Sequence, residues 1–165
     1  MAKSEIELVA EFHEKFDLLY QGPPRHLHDD MASFRGGFMI EELAEYFEAA
    51  GYPGVAGDLR QVHERLKRNT NWYPRIGEVS LVRQLDALVD LDYVLKGTAY
   101  LQGWGGWNDN ATPRPKYDVA FKRVHDANME KIRVAADLQG SSRKSKYDVV
   151  KPKDWLPPVL DDLVT

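Results

Sequence analysis

Apolar positions recur every three to four residues along most of the chain, and nowhere with the strict alternation that marks a half-buried strand. Ile6, Val9, Phe12, Phe16 and Leu19 have this spacing, Ser4 suits an N-cap and Gly22-Pro23-Pro24 closes the segment. A first helix is predicted over residues 4–20. Met39, Leu43 and Phe47 form the apolar stripe of a second helix, predicted over 38–50 and stopped by Gly51-Tyr52-Pro53-Gly54. Leu59, Val62 and Leu66 predict a short charged helix over 58–69. Val79, Val82, Leu85, Leu88, Val89, Leu91, Val94 and Leu95 give a helix over 78–101 the widest apolar face of the chain. A last helix, over 117–136, carries Val119, Phe121, Val124, Met129 and Ile132. The expected fold is all-α, a bundle of four to five helices.

From Gly140 the character changes. GSSRKSKYDVVKPKDWLPPVLDDLV is basic and serine-rich, then bounded by prolines, and reads as an extended arm. The expected organisation is one helical domain over 1–138 and an arm over 139–165, packed on that domain or on a neighbouring subunit. At 165 residues and 18.9 kDa the chain can bury a core without staples. It contains no cysteine, which excludes disulfides and thiolate metal sites. A net charge of −4 supplies no general attraction to nucleic acid, so none is expected as a partner. No run is long enough to span a bilayer, and MAKS followed by EIELVAEFHEKF lacks the apolar core of a signal peptide. A soluble, cytoplasmic protein with no membrane partner is the expectation.

Chemistry concentrates in the second helix. Beside its apolar stripe lie Glu41, Glu42 and Glu45, three and four residues apart and therefore neighbours on a helical surface. Such carboxylates repel unless a cation joins them. One reading is a solvated acidic face. The other is a site for Mg²⁺ or Mn²⁺, hard cations that take carboxylate oxygens and leave room for water and phosphate. The helix over 78–101 adds Asp86 and Asp90, which share a face, while Asp92 points elsewhere. Two such helices packed antiparallel bring five carboxylates to one seam. Asn128 and Lys131, with Lys122 or Arg123 nearby, offer donors to a phosphate chain, and Arg35 can brace a carboxylate or reach a phosphate.

The segments EELAE, DALVDLDYVLKGTAYLQGW, FKRVHDANMEKI and KYDVVKPKDWLPPVLDDL together resemble the MazG-like all-α nucleoside triphosphate pyrophosphohydrolases, especially phage-encoded members. The resemblance runs from about Glu5 through the tail and covers 52–76 poorly. It implies a helical fold, a homodimer or homotetramer, and Mg²⁺ or Mn²⁺ held by acidic residues of two helices. It further implies water attack between the α- and β-phosphates, giving a nucleoside monophosphate and pyrophosphate. The family's EExxE is matched by Glu41, Glu42 and Glu45. Its ExxD is matched in part: Asp90 takes the aspartate place, Ala87 stands at the glutamate place, and Asp86 is the stand-in. On this pattern Glu42, Glu45, Asp86 and Asp90 are the metal ligands and Glu41 the residue acting on water. Asn128 and Lys131 fall in the phage-type VHxxNMxK segment, implying substrate contact together with Arg123 and Arg35. The ending KYDVVKPKDWLPP is similar to purine-specific members of the MazZ type. That points to dGTP or GTP, and for a phage protein to the host cytoplasm.

Other residues have plainer readings beside functional ones. His26 and His28, followed by Asp29 and Asp30, read as a helix start rather than a metal site. Trp104 and Trp107 read as packing anchors before base-stacking platforms, and His125 as a core histidine. Arg143, Lys144, Lys146, Lys151 and Lys153 in the arm are either solvated or close over phosphates. A noncatalytic module binding a nucleotide or an alarmone would share the acidic pocket, and a purely structural helical oligomer would leave the acids on separate faces.

Overall fold

The computed structural model describes residues 3–68, 75–106, 115–134, 140, 141, 143 and 145–164. Five helices carry the fold: α1 (Glu5–Lys15), α2 (Asp29–Ala49), α3 (Pro53–Arg68), α4 (Leu81–Leu101) and α5 (Lys116–Met129). A two-residue strand β1 (Ile132–Arg133) pairs antiparallel with β2 (Val149–Val150), in the register Ile132 with Val150. The fold is the expected all-α one, with this small ladder added. Among the described residues no helix is long and apolar enough to cross a membrane.

The helix ends explain where the predicted boundaries moved. α1 starts as expected, the Glu7 carboxylate accepting from Ser4 N and Ser4 Oγ, both at 2.7 Å. It stops at Lys15 rather than residue 20, because Asp17 takes a left-handed φ of 54° and Leu18 N turns back to His13 O at 2.7 Å. The same exit closes α2 at Gly51 (φ 86°), where Tyr52 N bonds Phe47 O at 2.8 Å and the two rings meet edge to face. It closes α4 at Gly103 (φ 89°). α2 begins at Asp29, nine residues before the predicted start, so Gly36 and Gly37 lie inside it. α3 starts at Pro53, where a missing N–H costs nothing. α4 starts at Leu81 behind Ser80, whose Oγ accepts from Arg83 N. α5 ends at Met129 and the chain is extended at Ile132–Arg133, while positions 135 and 136 of the predicted helix lie outside the described residues.

The chain divides into two compact units. The first comprises Met1–Pro23, Ser80–Val134 and Val149–Thr165. Here α1 packs on α5 over a core that includes Leu8, Phe16, Val134 and Leu163. Lys15 donates to Met129 O, and Arg133 Nη1 to Phe16 O at 2.5 Å. Lys96 of α4 joins Glu5 at 2.8 Å and Asp92 at 2.9 Å, which raises its pKa, Glu5 contributing most. Apart from Ala99, the apolar residues of α4 are largely exposed in the single chain, Val82 at 79 % and Leu88 at 53 %. The second half of the predicted arm is built into this unit. Trp155 Nε1 donates to Ala127 O at 2.7 Å, and Arg123 grips Asp162.

The second unit comprises Pro24–Val79 and Ala135–Asp148. α2 packs on α3, with Ala44 and Ala56 fully buried in that unit. The predicted stripe is not the buried face: Met39 and Leu43 remain about half exposed, while Gly37 and Ala44 are buried. The buried positions of α2 are Gly37 and Ala44, with Glu41 half-buried between them. Glu48 pairs with Arg60 of α3.

Candidate active site

α2 presents its carboxylates to different surroundings. Glu41 lies between the buried Gly37 and Ala44 and is 28 % exposed. Arg143, from the segment after α5, donates to its Oε2 from Nη2 at 2.8 Å and from Nε at 3.0 Å. Arg143 Nη1 reaches Asp148 Oδ1 at 3.2 Å, and its Cζ sits 4.1 Å from the centre of the Phe38 ring. Asp148 is fully buried, and its second oxygen accepts from Ser141 Oγ at 2.8 Å. Glu42 and Glu45 are exposed on the same helix. Glu45 lies close enough to Arg60 to help hold that guanidinium charged, though Glu48 does more.

His63 of α3 completes this neighbourhood. It is buried over Gly37, one helical turn before Glu41. Burial pushes its pKa below the ordinary 6.5. Glu41 and Glu64 oppose that shift, whereas Lys67 and Arg143 reinforce it. Burial thus disfavours the charged imidazole, within electrostatic reach of the salt-bridged Glu41.

The remaining expected site residues are distributed as follows. Asp86 and Asp90 are exposed on α4, in the first unit. Asn128 is near the end of α5, and Lys131 lies past it, 5.9 Å from the Trp155 ring. Arg123 makes a two-pronged bridge to Asp162, at 2.5 and 2.8 Å, and donates to Val159 O. In this structure it anchors the C-terminal segment. Arg35 is exposed, 5.9 Å from the Phe38 ring. Asp29 opens α2 and bridges to Arg75 at 2.9 Å, in keeping with a helix start. His125 is buried with Nε2 3.7 Å from Glu11. Trp104 sits in the turn that closes α4, and Trp107 and Lys144 lie outside the described residues. Among the described residues no three His, Asp or Glu side chains are grouped to hold a metal ion. The donor chemistry of the acidic residues still fits a hard divalent cation, since carboxylate oxygens are what Mg²⁺ and Mn²⁺ take. Glu41 has a guanidinium on one oxygen. The sequence reading missed His63 and Asp148; a histidine inside a charged helix and an aspartate in a basic arm carry no spacing signal.

The chain is all-helical, with acidic residues on α2 and α4. Residues 9–104 match the family model described as phosphoribosyl-ATP pyrophosphohydrolase. That span is more than half of the sequence, and the chain belongs to this family. It thereby stands in the MazG-like all-helical superfamily, and its activity is that of a nucleotide pyrophosphohydrolase. No curated protein and no solved structure matches the chain significantly.

Proposed function

We propose that this chain is a divalent-cation-dependent nucleoside triphosphate pyrophosphohydrolase that cleaves dGTP or GTP between the α- and β-phosphates, releasing the monophosphate and pyrophosphate. The observation that carries this reading is the extent of the family match, which takes in both acidic helices and so Glu41, Glu42, Glu45, Asp86 and Asp90. Glu42, Glu45, Asp86 and Asp90 are the residues that would hold Mg²⁺ or Mn²⁺. When bound, the cation supplies neutralisation of phosphate charge and activation of water. Glu41 orients the attacking water and takes its proton. Asn128 and Lys131 hold phosphate oxygens, with Arg35 assigned to the same task, while Arg123, also expected there, is committed to Asp162. The purine preference rests on the ending KYDVVKPKDWLPP and is consistent with a family whose described substrate is itself an adenine nucleotide.

The exposed apolar side chains of α4 favour a homodimer or homotetramer, because a contiguous patch of this kind is normally covered. Light scattering after size exclusion checks that. The noncatalytic nucleotide- or alarmone-binding reading is favoured by one observation, Ala87 where the family's second motif has glutamate.

Purified protein with Mg²⁺ or Mn²⁺ is incubated with each nucleoside triphosphate and with phosphoribosyl-ATP, and products are separated by ion exchange. Pyrophosphate with a matching monophosphate, largest for dGTP or GTP, is the expected result. Equal turnover of all bases removes the purine assignment. Nucleotide binding without turnover favours the regulator.

A further inference from the structure

We infer that Arg143 is a positioning residue for Glu41, fixing its carboxylate through Oε2 so that Oε1 serves the reaction; the inference rests on the role proposed above for Glu41. A glutamate on a helix surface normally samples several rotamers, and a base that wanders loses the geometry that proton abstraction needs. Here two donors of one rigid fork, Nε and Nη2, converge on a single oxygen. The fork is itself immobilised on two further sides, by Asp148 on Nη1 and by the face of Phe38. Phe38 and Glu41 are one turn apart on α2, so the ring that the guanidinium lies over and the carboxylate that it holds belong to one rigid element.

The charge balance separates this role from phosphate binding. Two carboxylates face one guanidinium, and the buried Asp148 is fixed in turn by the buried Ser141. Among the described residues, carboxylates outnumber guanidinium groups in this cluster. A guanidinium with Nε, Nη1 and Nη2 all engaged has little left to offer a triphosphate, whereas the Glu41 carboxylate is held in one orientation. Lysine at 143 would keep the charge and lose the fork.

A double-mutant cycle tests this with R143K, E41Q and the pair, each checked for a wild-type circular dichroism spectrum and melt. Pyrophosphate release by the wild type is measured first, and its absence sinks the proposed function rather than the role of Arg143. With turnover present, R143K should lower kcat about tenfold while KM changes less than about twofold. In the E41Q background the same substitution should cost less than about twofold, because Arg143 acts through Glu41. If E41Q is too slow to follow, E41D takes its place. If R143K does not fold, R143Q/D148N carries the cycle with both partners neutral. Equal losses in both backgrounds, a defect confined to KM, or a variant as fast as or faster than wild type would each overturn the inference.

Discussion

Gly37 faces the imidazole of His63 so closely that a methyl group on it would lie 3.1 Å from Cδ2 and 3.3 Å from Nε2. Gly36, its neighbour in the same helix, has nothing within 4 Å of the equivalent point. Replacing each by alanine should therefore have opposite effects. Gly36→Ala should stabilise by up to about 1 kcal/mol through helix propensity alone. Gly37→Ala should destabilise by about 1–2 kcal/mol, overpacking outweighing that gain. Urea unfolding of the two variants beside wild type decides it, and stabilisation by both would mean that His63 yields freely.

His63 also predicts a pH dependence. Burial lowers its pKa below 6.5, so the unfolded chain binds this proton more readily than the folded one. The stabilisation is complete above 6.5 and is lost as pH falls from there towards the folded value. Glu7, Glu11 and Glu48 have lowered pKa values too, but theirs is lost only below the ordinary 4.5, a separate window. Comparing urea midpoints of wild type and His63→Gln from about pH 8 to 5 isolates the histidine. The wild type's loss below 6.5 should shrink in the variant, and parallel curves would contradict the assignment.

Asp17 ends α1 with φ 54°, a conformation that costs most residues with a side chain about 1–2 kcal/mol. Asp17→Gly should stabilise by about 0.5–1 kcal/mol, since glycine's greater freedom in the unfolded chain returns part of the gain. Asp17→Val should destabilise by about 1 kcal/mol or more, because β-branching resists this conformation. Thermal unfolding of both variants checks the pair.

Removing Arg143 alone leaves Asp148 as a buried carboxylate supported, among the described residues, by the Ser141 hydroxyl. Arg143→Ala should cost about 3–5 kcal/mol. Combining it with Asp148→Asn should recover most of that loss, because the uncompensated charge disappears. Denaturant titrations measure both. A double variant as unstable as the single one would show that packing on Phe38 outweighs the ion pair.

For the proposed chemistry, Glu42→Gln and Asp90→Asn should each lower turnover by about 100-fold or more while melting like wild type. Both side chains are exposed. Pyrophosphate release near the wild-type rate in either folded variant would remove that residue from the metal set.

The spacing of apolar residues was sufficient to announce all five helices, because a 3.6-residue period is written locally. The same pattern put Glu41, Glu42 and Glu45 on neighbouring positions of one helix. Boundaries were less legible. Gly36 and Gly37 precede the predicted start of the second helix, yet both lie inside α2, where Gly37 admits the His63 ring. Asp17 has no local mark of a left-handed residue. Only the tertiary structure decided which face of α2 is buried, replacing the stripe of Met39 and Leu43 by Gly37 and Ala44 with Glu41 half-buried between them. It alone joined Glu41 to Arg143, 102 positions later, over Phe38 and beside Asp148. Periodicity reports what neighbours share along one element. The partner of a buried carboxylate is chosen by chain segments far apart in sequence, through burial and charge that no local window contains.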